Sequence, residues 1–149
     1  IDAANGIGGF TDWTNENSFL RQHFSPQVIL ETSEKAFYDY FVRQDIKIDY
    51  LHIDGDHSYE GVKKDFELYS QIMSENGIIT IHDTDQSYHN TFLIPDTQKT
   101  DFAEFDGPAK FIEELKNNPK YNLVNLKNFI TFTHKTTSTG LTVVTKNKI

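Results

Sequence analysis

The chain has 149 residues, 22 acidic and 14 basic side chains, a net charge of −8 and no cysteine. That length predicts one domain able to bury its own core, and the missing cysteine excludes a disulfide scaffold, a thiolate zinc site and a cysteine nucleophile. The acidic balance argues against nucleic acid, which asks for a basic face, and no apolar run or leader pattern suggests a membrane span or a signal peptide, so a cytoplasmic protein is expected.

The first residues are Ile1-Asp2-Ala3-Ala4, with no initiator Met, followed by a flexible turn at Asn5-Gly6-Ile7-Gly8-Gly9. A short helix is predicted from Ser18 to Phe24, ended before Pro26, and then a buried strand at Val28-Ile29-Leu30. Thr32-Ser33 reads as a helix N-cap, because a hydroxyl can accept the free backbone N–H groups of a first turn. Ala36, Phe37, Tyr40 and Phe41 follow at helical spacing. Ile46 to Ile53 is a β-rich run that ends in Asp54-Gly55-Asp56-His57.

A long helix is predicted from about Tyr59 to Glu75, with Val62, Phe66, Tyr69 and Met73 as its apolar stripe and Asn76-Gly77 as its C-terminal stop. Ile78 to Ile81 is the next strand, ending in His82-Asp83-Thr84-Asp85. Thr84 to Phe105 shows no period, and a loop that long suggests a lid or a binding loop. Gly107-Pro108 opens a helix with Phe111, Ile112 and Leu115 inward, and Asn117-Asn118-Pro119 closes it. Two late strands, Asn128 to His134 and Gly140 to Thr145, read as an antiparallel hairpin joined by a Ser/Thr/Gly turn. Apolar strands alternating with amphipathic helices predict an α/β, Rossmann-like doubly wound sheet, mostly parallel, with an antiparallel strand at one edge.

In such a sheet, ligands bind beyond the carboxyl ends of the strands. Asp2, Thr32, Ser33, Asp54, Asp56, His57, His82, Asp83 and Asp85 are all expected on that rim. Asp54 and Asp83 are the best pair for a hard divalent cation such as Mg²⁺, which prefers oxygen ligands. Each of them could instead cap the element that follows it. His57, three residues past Asp54, suits a general base near neutral pH; the alternative is a surface histidine capping the next helix. His52 is expected to be packed within its strand, and His82 to stand behind the site. Asp2, before a glycine-rich turn, is placed where a carboxylate can accept both hydroxyls of a ribose. Gly6-Ile7-Gly8-Gly9 is a weak phosphate cradle, since it lacks the G-x-G-x-x-G spacing.

The run Tyr50-Leu51-His52-Ile53-Asp54-Gly55-Asp56-His57-Ser58-Tyr59-Glu60-Gly61-Val62, then Asp65, then Gly77-Ile78-Ile79-Thr80-Ile81-His82-Asp83-Thr84, resembles the class I S-adenosylmethionine-dependent methyltransferases, in the branch called methyltransferase family 24. Gly107-Pro108-Ala109-Lys110-Phe111 and Thr139-Gly140-Leu141-Thr142-Val143-Val144 add to the likeness. The resemblance implies a seven-stranded sheet whose last strand is inserted antiparallel. It assigns the cofactor's ribose to Asp2, its adenine to Thr32 and Ser33, and its methionine end and the acceptor to Asp54, Asp56 and His57. Related sugar and macrolide O-methyltransferases imply Mg²⁺ on Asp54 and Asp83 with His57 as base. His82 stands where those enzymes carry a second carboxylate. The family's first strand and glycine-rich loop should precede Asp2, so the chain as given is expected to begin at the second strand.

The function this implies is transfer of a methyl group from S-adenosylmethionine to a hydroxyl of a small molecule such as a sugar, with Tyr88, His89 and Phe92 of the long loop over the acceptor. Two other classes remain open from the residues. Ile53-Asp54-Gly55-Asp56-His57-Ser58 is close to the nucleophile motif of haloacid-dehalogenase-like phosphatases, and a non-catalytic binding module could keep the same fold.

Overall fold

The computed structural model describes residues 17, 19–85, 107–127, 129–132 and 135–147. Helix α1 is one short turn, Phe19–His23. Helix α2, Ser33–Ala36, begins at the cap read from the sequence: the Thr32 hydroxyl accepts from the Lys35 amide at 3.3 Å. It runs on into a π-helical turn, Phe37–Val42. Strand β1, Ile48–Ile53, leads to helix α3, Tyr59–Tyr69, whose first turn is closed by Ser58 Oγ accepting from the Gly61 amide at 3.0 Å. A 3₁₀ turn, Ser70–Ile72, links α3 to strand β2, Met73–His82. Helix α4 spans Gly107–Leu115, and strands β3 to β6 span Tyr121–Leu126, Phe129–Phe132, Lys135–Ser138 and Leu141–Lys146.

Four strands form the main sheet in the order β1-β2-β6-β3. β1 and β2 are parallel; β6 is antiparallel to both β2 and β3. The chain is thus α/β with an antiparallel C-terminal strand, and among the described residues the parallel pairing of the main sheet is β1 with β2. Leu51, Ile53, Ile79, Ile81 and Val144 point from the sheet into the core. They meet Val62, Phe66 and Tyr69 of α3 and Phe111, Ile112 and Leu115 of α4. Each of these side chains contributes about 1.5–3 kcal/mol of burial free energy. Their alternation along β1 and β2 is what leaves residues 50, 52, 78, 80 and 82 on the opposite face.

Several local expectations change. Val28-Ile29-Leu30 is not a strand: Val28 and Leu30 are 40% and 66% exposed. Three apolar residues form a strand only where a neighbour takes up their backbone groups, and among the described residues no ladder reaches them. The α3 helix stops at Tyr69, short of Glu75, and Met73 opens β2 instead of ending the helical stripe. Asn76-Gly77 is therefore no helix cap. It lies in a bulge, where the register shifts between the pairs Ile48–Met73 and Tyr50–Ile78, a common use of glycine inside a strand.

The hairpin is also rearranged. β6 pairs with Tyr121–Leu126, which the sequence reading leaves unassigned, while Phe129–Phe132 pairs with Lys135–Ser138, the segment expected as a turn. Asn122 and Asn125 weaken the β signal of that segment, although Tyr121 and Leu123 pack against the core. The turn into β6 is Gly140, at φ +77°, where a side chain would meet Asp85.

One close approach matters for the site. A Cβ on Gly107 would lie 2.3 Å from the backbone of His57, Ser58 and Tyr59. Only glycine lets the start of α4 rest directly on the corner that carries His57. Among the described residues no helix is long and apolar enough to cross a membrane.

Candidate active site

Two adjacent parallel strands end together. Ile53 pairs with Ile81, so Asp54 leaves β1 beside His82 and Asp83 leaving β2. His57 is brought over them by the short β1–α3 turn. Asp56 shapes that turn, its Oδ1 accepting the Ser58 amide at 2.9 Å. Asp83 has φ +55°, a left-handed conformation that costs a non-glycine residue some strain and that aspartate tolerates better than most. The chain beyond it is held by β6: Thr142 Oγ1 is 2.9 Å from Thr84 Oγ1, and the Asp85 amide donates to Thr139 O at 3.0 Å.

The result is a ring of two carboxylates and two imidazoles. His57 Nε2 lies 3.3 Å from Asp54 Oδ1, and His57 Nδ1 lies 3.5 Å from Asp83 Oδ2. His82 Nδ1 stands 3.4 Å from Asp54 Oδ1 and 3.0 Å from Asp83 Oδ1. His52 flanks it, with Nε2 3.8 Å from Asp54 Oδ2 and Nδ1 2.8 Å from the Thr80 hydroxyl. Tyr50 OH is 2.9 Å from the same hydroxyl. Asp54, His57 and Asp83 each offer a ligand atom within 4.8 Å of the others, the spacing of a metal-binding trio. Asp83 Oδ1 is buried and accepts no aligned hydrogen bond, so its contact with His82 is one of charge.

These contacts set the protonation states. Hydrogen bonds from His57 and His82 hold the Asp54 carboxyl far below the usual carboxylate range, against a smaller opposing effect of burial. The Asp54 hydrogen bond raises the His57 pKa, with burial working against it and Asp83 adding to the rise. His82, drawn by Asp54 first and then by Asp83, is pushed up to about 10. His52 goes the other way, because burial outweighs the attraction of Asp54.

At neutral pH, His82 is therefore a cation lodged between two carboxylates. The sequence places it behind the site, whereas the structure puts it in contact with both acids. The signal was its adjacency to Asp83: in a strand end that turns sharply, consecutive side chains can converge.

A stability prediction follows from the sign of the His82 shift. A raised folded-state pKa gives stabilisation that is fully present below about 6.5 and is lost as pH rises toward 10. Urea unfolding between pH 7 and pH 10 should show stability falling in the wild type and a flatter profile in His82→Asn. Identical profiles would refute the charge assignment.

The other expected site residues are placed as follows. Thr32 caps α2, and Ser33 O accepts from Tyr69 OH at 2.8 Å. Ser33 is thereby tied to α3, while Thr32 bonds within its own helix. Asp56 is exposed at the β1–α3 turn. Asp2, Gly6 to Gly9, Tyr88, His89, Phe92 and nearly all of the loop between Thr84 and Phe105 lie outside the described residues.

The adjacent strand ends of this α/β sheet thus present a histidine between two aspartates. A family model described as a methyltransferase domain, methyltransferase family 24, matches residues 5–84, more than half of the chain. The chain belongs to that family. It is 39% identical over 46 residues to the uncharacterized protein y4gI of Sinorhizobium fredii, a stretch covering 31% of this chain and 5% of that one.

Among solved structures, a putative O-methyltransferase from Klebsiella pneumoniae overlays with a TM-score of 0.46 at 16% identity, over 69% of this chain and 42% of its own. The SAH-bound Podospora anserina methyltransferase PaMTH1 gives 0.48 at 18%, over 76% and 47%. The O-methyltransferase from Bacillus cereus in complex with SAH gives 0.49 at 17%, over 80% and 48%. The chain spans less than half the length of each of these three solved structures.

Proposed function

We propose that this chain serves methyl transfer from S-adenosylmethionine to a hydroxyl group of a small molecule, a sugar being the first acceptor class to try. The single observation that carries the reading is His57 set between Asp54 and Asp83, in a chain of the methyltransferase family. S-adenosylmethionine supplies an electrophilic methyl carbon on a sulfonium. The acceptor oxygen forms the new C–O bond as the C–S bond breaks, and the sulfonium's positive charge is discharged as the electron pair moves to sulfur.

The chain's own tasks are alignment and proton removal. Asp54 and Asp83 hold the His57 ring and the acceptor hydroxyl in line, which replaces a bimolecular encounter with a fixed approach. His57 in its neutral form takes the hydroxyl proton. Asp54 then stabilises the imidazolium it becomes. Thr32 and Ser33 would hold the adenine, Asp2 the ribose, and Asp54 and Asp56 the methionine end.

The donor set also fits a divalent cation such as Mg²⁺: Asp54 and Asp83 would hold it, and the buried Asp83 Oδ1 accepts no hydrogen bond that such an ion would displace. Such an ion acts as a Lewis acid that lowers the pKa of a bound hydroxyl. The phosphatase alternative is less well served. It needs Asp54 as a nucleophile, and that carboxylate is engaged by two imidazoles.

The test is methyl transfer by the full chain from methyl-labelled S-adenosylmethionine to a panel of sugars and phenols, with and without Mg²⁺. Label in an ether product together with S-adenosylhomocysteine is the expected result. Calorimetry that shows no binding of S-adenosylhomocysteine, with no transfer, would overturn the reading.

A further inference from the structure

Helix α3 carries a second, separate set of polar contacts on the side away from α4. Gly61, Asp65 and Tyr69 are spaced four apart, so they lie along one face of the helix. At Gly61 a Cβ would sit 2.5 Å from Asp56 Cγ, so the Asp56 side chain lies directly on the helix there. One turn on, Asp65 is a buried carboxyl, 5% exposed, whose side-chain hydrogen-bond partner is Ser33. One turn further, Tyr69 OH donates to Ser33 O at 2.8 Å. Lys64, beside this stripe, reaches Glu34 at 2.7 Å. A single helix face thus grips both the turn that starts α2 and the turn that follows β1.

A buried carboxyl needs a reason to be retained. Burial raises the Asp65 pKa, Ser33 draws it back down, and Asp56 acts on it through space. A leucine there would pack without that cost. Among the groups that act on it, Ser33 and Asp56 are residues expected at the cofactor, one from each turn.

We infer that Asp65, aided by Tyr69, is a positioning residue for the cofactor: it sets the spacing between the Ser33 turn at the adenine and the Asp56 corner at the methionine end, and so the affinity for the cofactor. This rests on the methyltransferase reading given above. Asp65 touches neither the reacting atoms nor the His57 ring, so its loss should weaken cofactor binding and leave the chemical step alone. Misplacing a binding group by about an ångström can cost up to roughly a hundredfold; a loosened turn should cost less.

The experiment measures S-adenosylhomocysteine Kd by calorimetry, and KM for S-adenosylmethionine and kcat, for the full chain and for D65A, D65N and Y69F, well below each Tm. D65A should raise Kd and KM roughly tenfold, with kcat within about twofold. D65N, which keeps an acceptor for the Ser33 hydroxyl, should recover most of the affinity. Y69F, which retains the ring and loses only the hydroxyl, should raise Kd about threefold.

Wild-type affinity in both D65A and Y69F, or a fall in kcat at unchanged KM, would overturn the inference and leave the methyltransferase reading standing. A wild-type chain that does not bind S-adenosylhomocysteine would remove the reading, and the inference with it.

Discussion

Replacing His57 with alanine should lower kcat by about 10²–10⁴-fold while S-adenosylhomocysteine still binds. The range is that of a lost general base. Binding survives because the ring contributes to proton removal and not to the adenosine contacts. The wild-type pH profile gives a second handle on the same residue. Asp54 raises the His57 pKa, so the neutral, competent form appears only as pH climbs above the ordinary histidine range. kcat/KM should therefore rise with pH, with an inflection above about 6.5. In His57→Ala that inflection should vanish along with the rate. Full turnover in the variant, or a pH profile unchanged by it, would remove His57 from the chemistry.

The clustering of Asp54, His57 and Asp83 was more legible in the sequence than the strand pairing was. Asp54, His57 and Asp83 were readable because each sits at a strand end, and adjacent parallel strands must deliver their ends to one rim. That geometry requires only that Ile48–Ile53 and Ile78–Ile81 be neighbours, which a single intervening helix makes the default connection. His82 was undervalued for a local reason. Its closeness to both acids depends on the left-handed backbone at Asp83, and nothing in the letters His-Asp-Thr announces that angle.

The strand errors have a common origin in context. Val28-Ile29-Leu30 is apolar but has no neighbour in a described sheet, whereas Tyr121–Leu126 carries two asparagines and is a strand because β6 supplies one. Asn76-Gly77 is a turn signal that the β1–β2 ladder absorbs as a bulge. In each case the pairing partner decided, and partners are set by tertiary structure. Asp65 was quoted from the sequence only as part of a resemblance. Its burial against Ser33 needed the packing of α3 on α2.

Asp54 is the hub of the ring, and Asp54→Asn should be the most disruptive conservative change in the site. The amide keeps the volume and one acceptor oxygen but drops the charge that His57 and His82 both face. Three consequences follow from that one lost charge. kcat should fall about 10²-fold or more, because the imidazolium formed on His57 loses its principal stabiliser. The His57 inflection should move to lower pH, since the largest cause of its upward shift is gone. Stability at pH 7 should fall by about 1 kcal/mol, a modest figure because the carboxylate is more than a third exposed and solvent screens the pair.

Asp54 has a lowered folded-state pKa, so its stabilisation exists above the unfolded carboxylate range and disappears as pH falls through that range and below. Wild type and Asp54→Asn should therefore converge in stability in strong acid and diverge toward neutrality. NMR titration of the His57 ring, with urea unfolding across the same pH range, separates these effects. A His57 pKa identical in the two proteins would show that Asp54 does not govern the base, and the His57-centred mechanism would then have to rest on Asp83 alone.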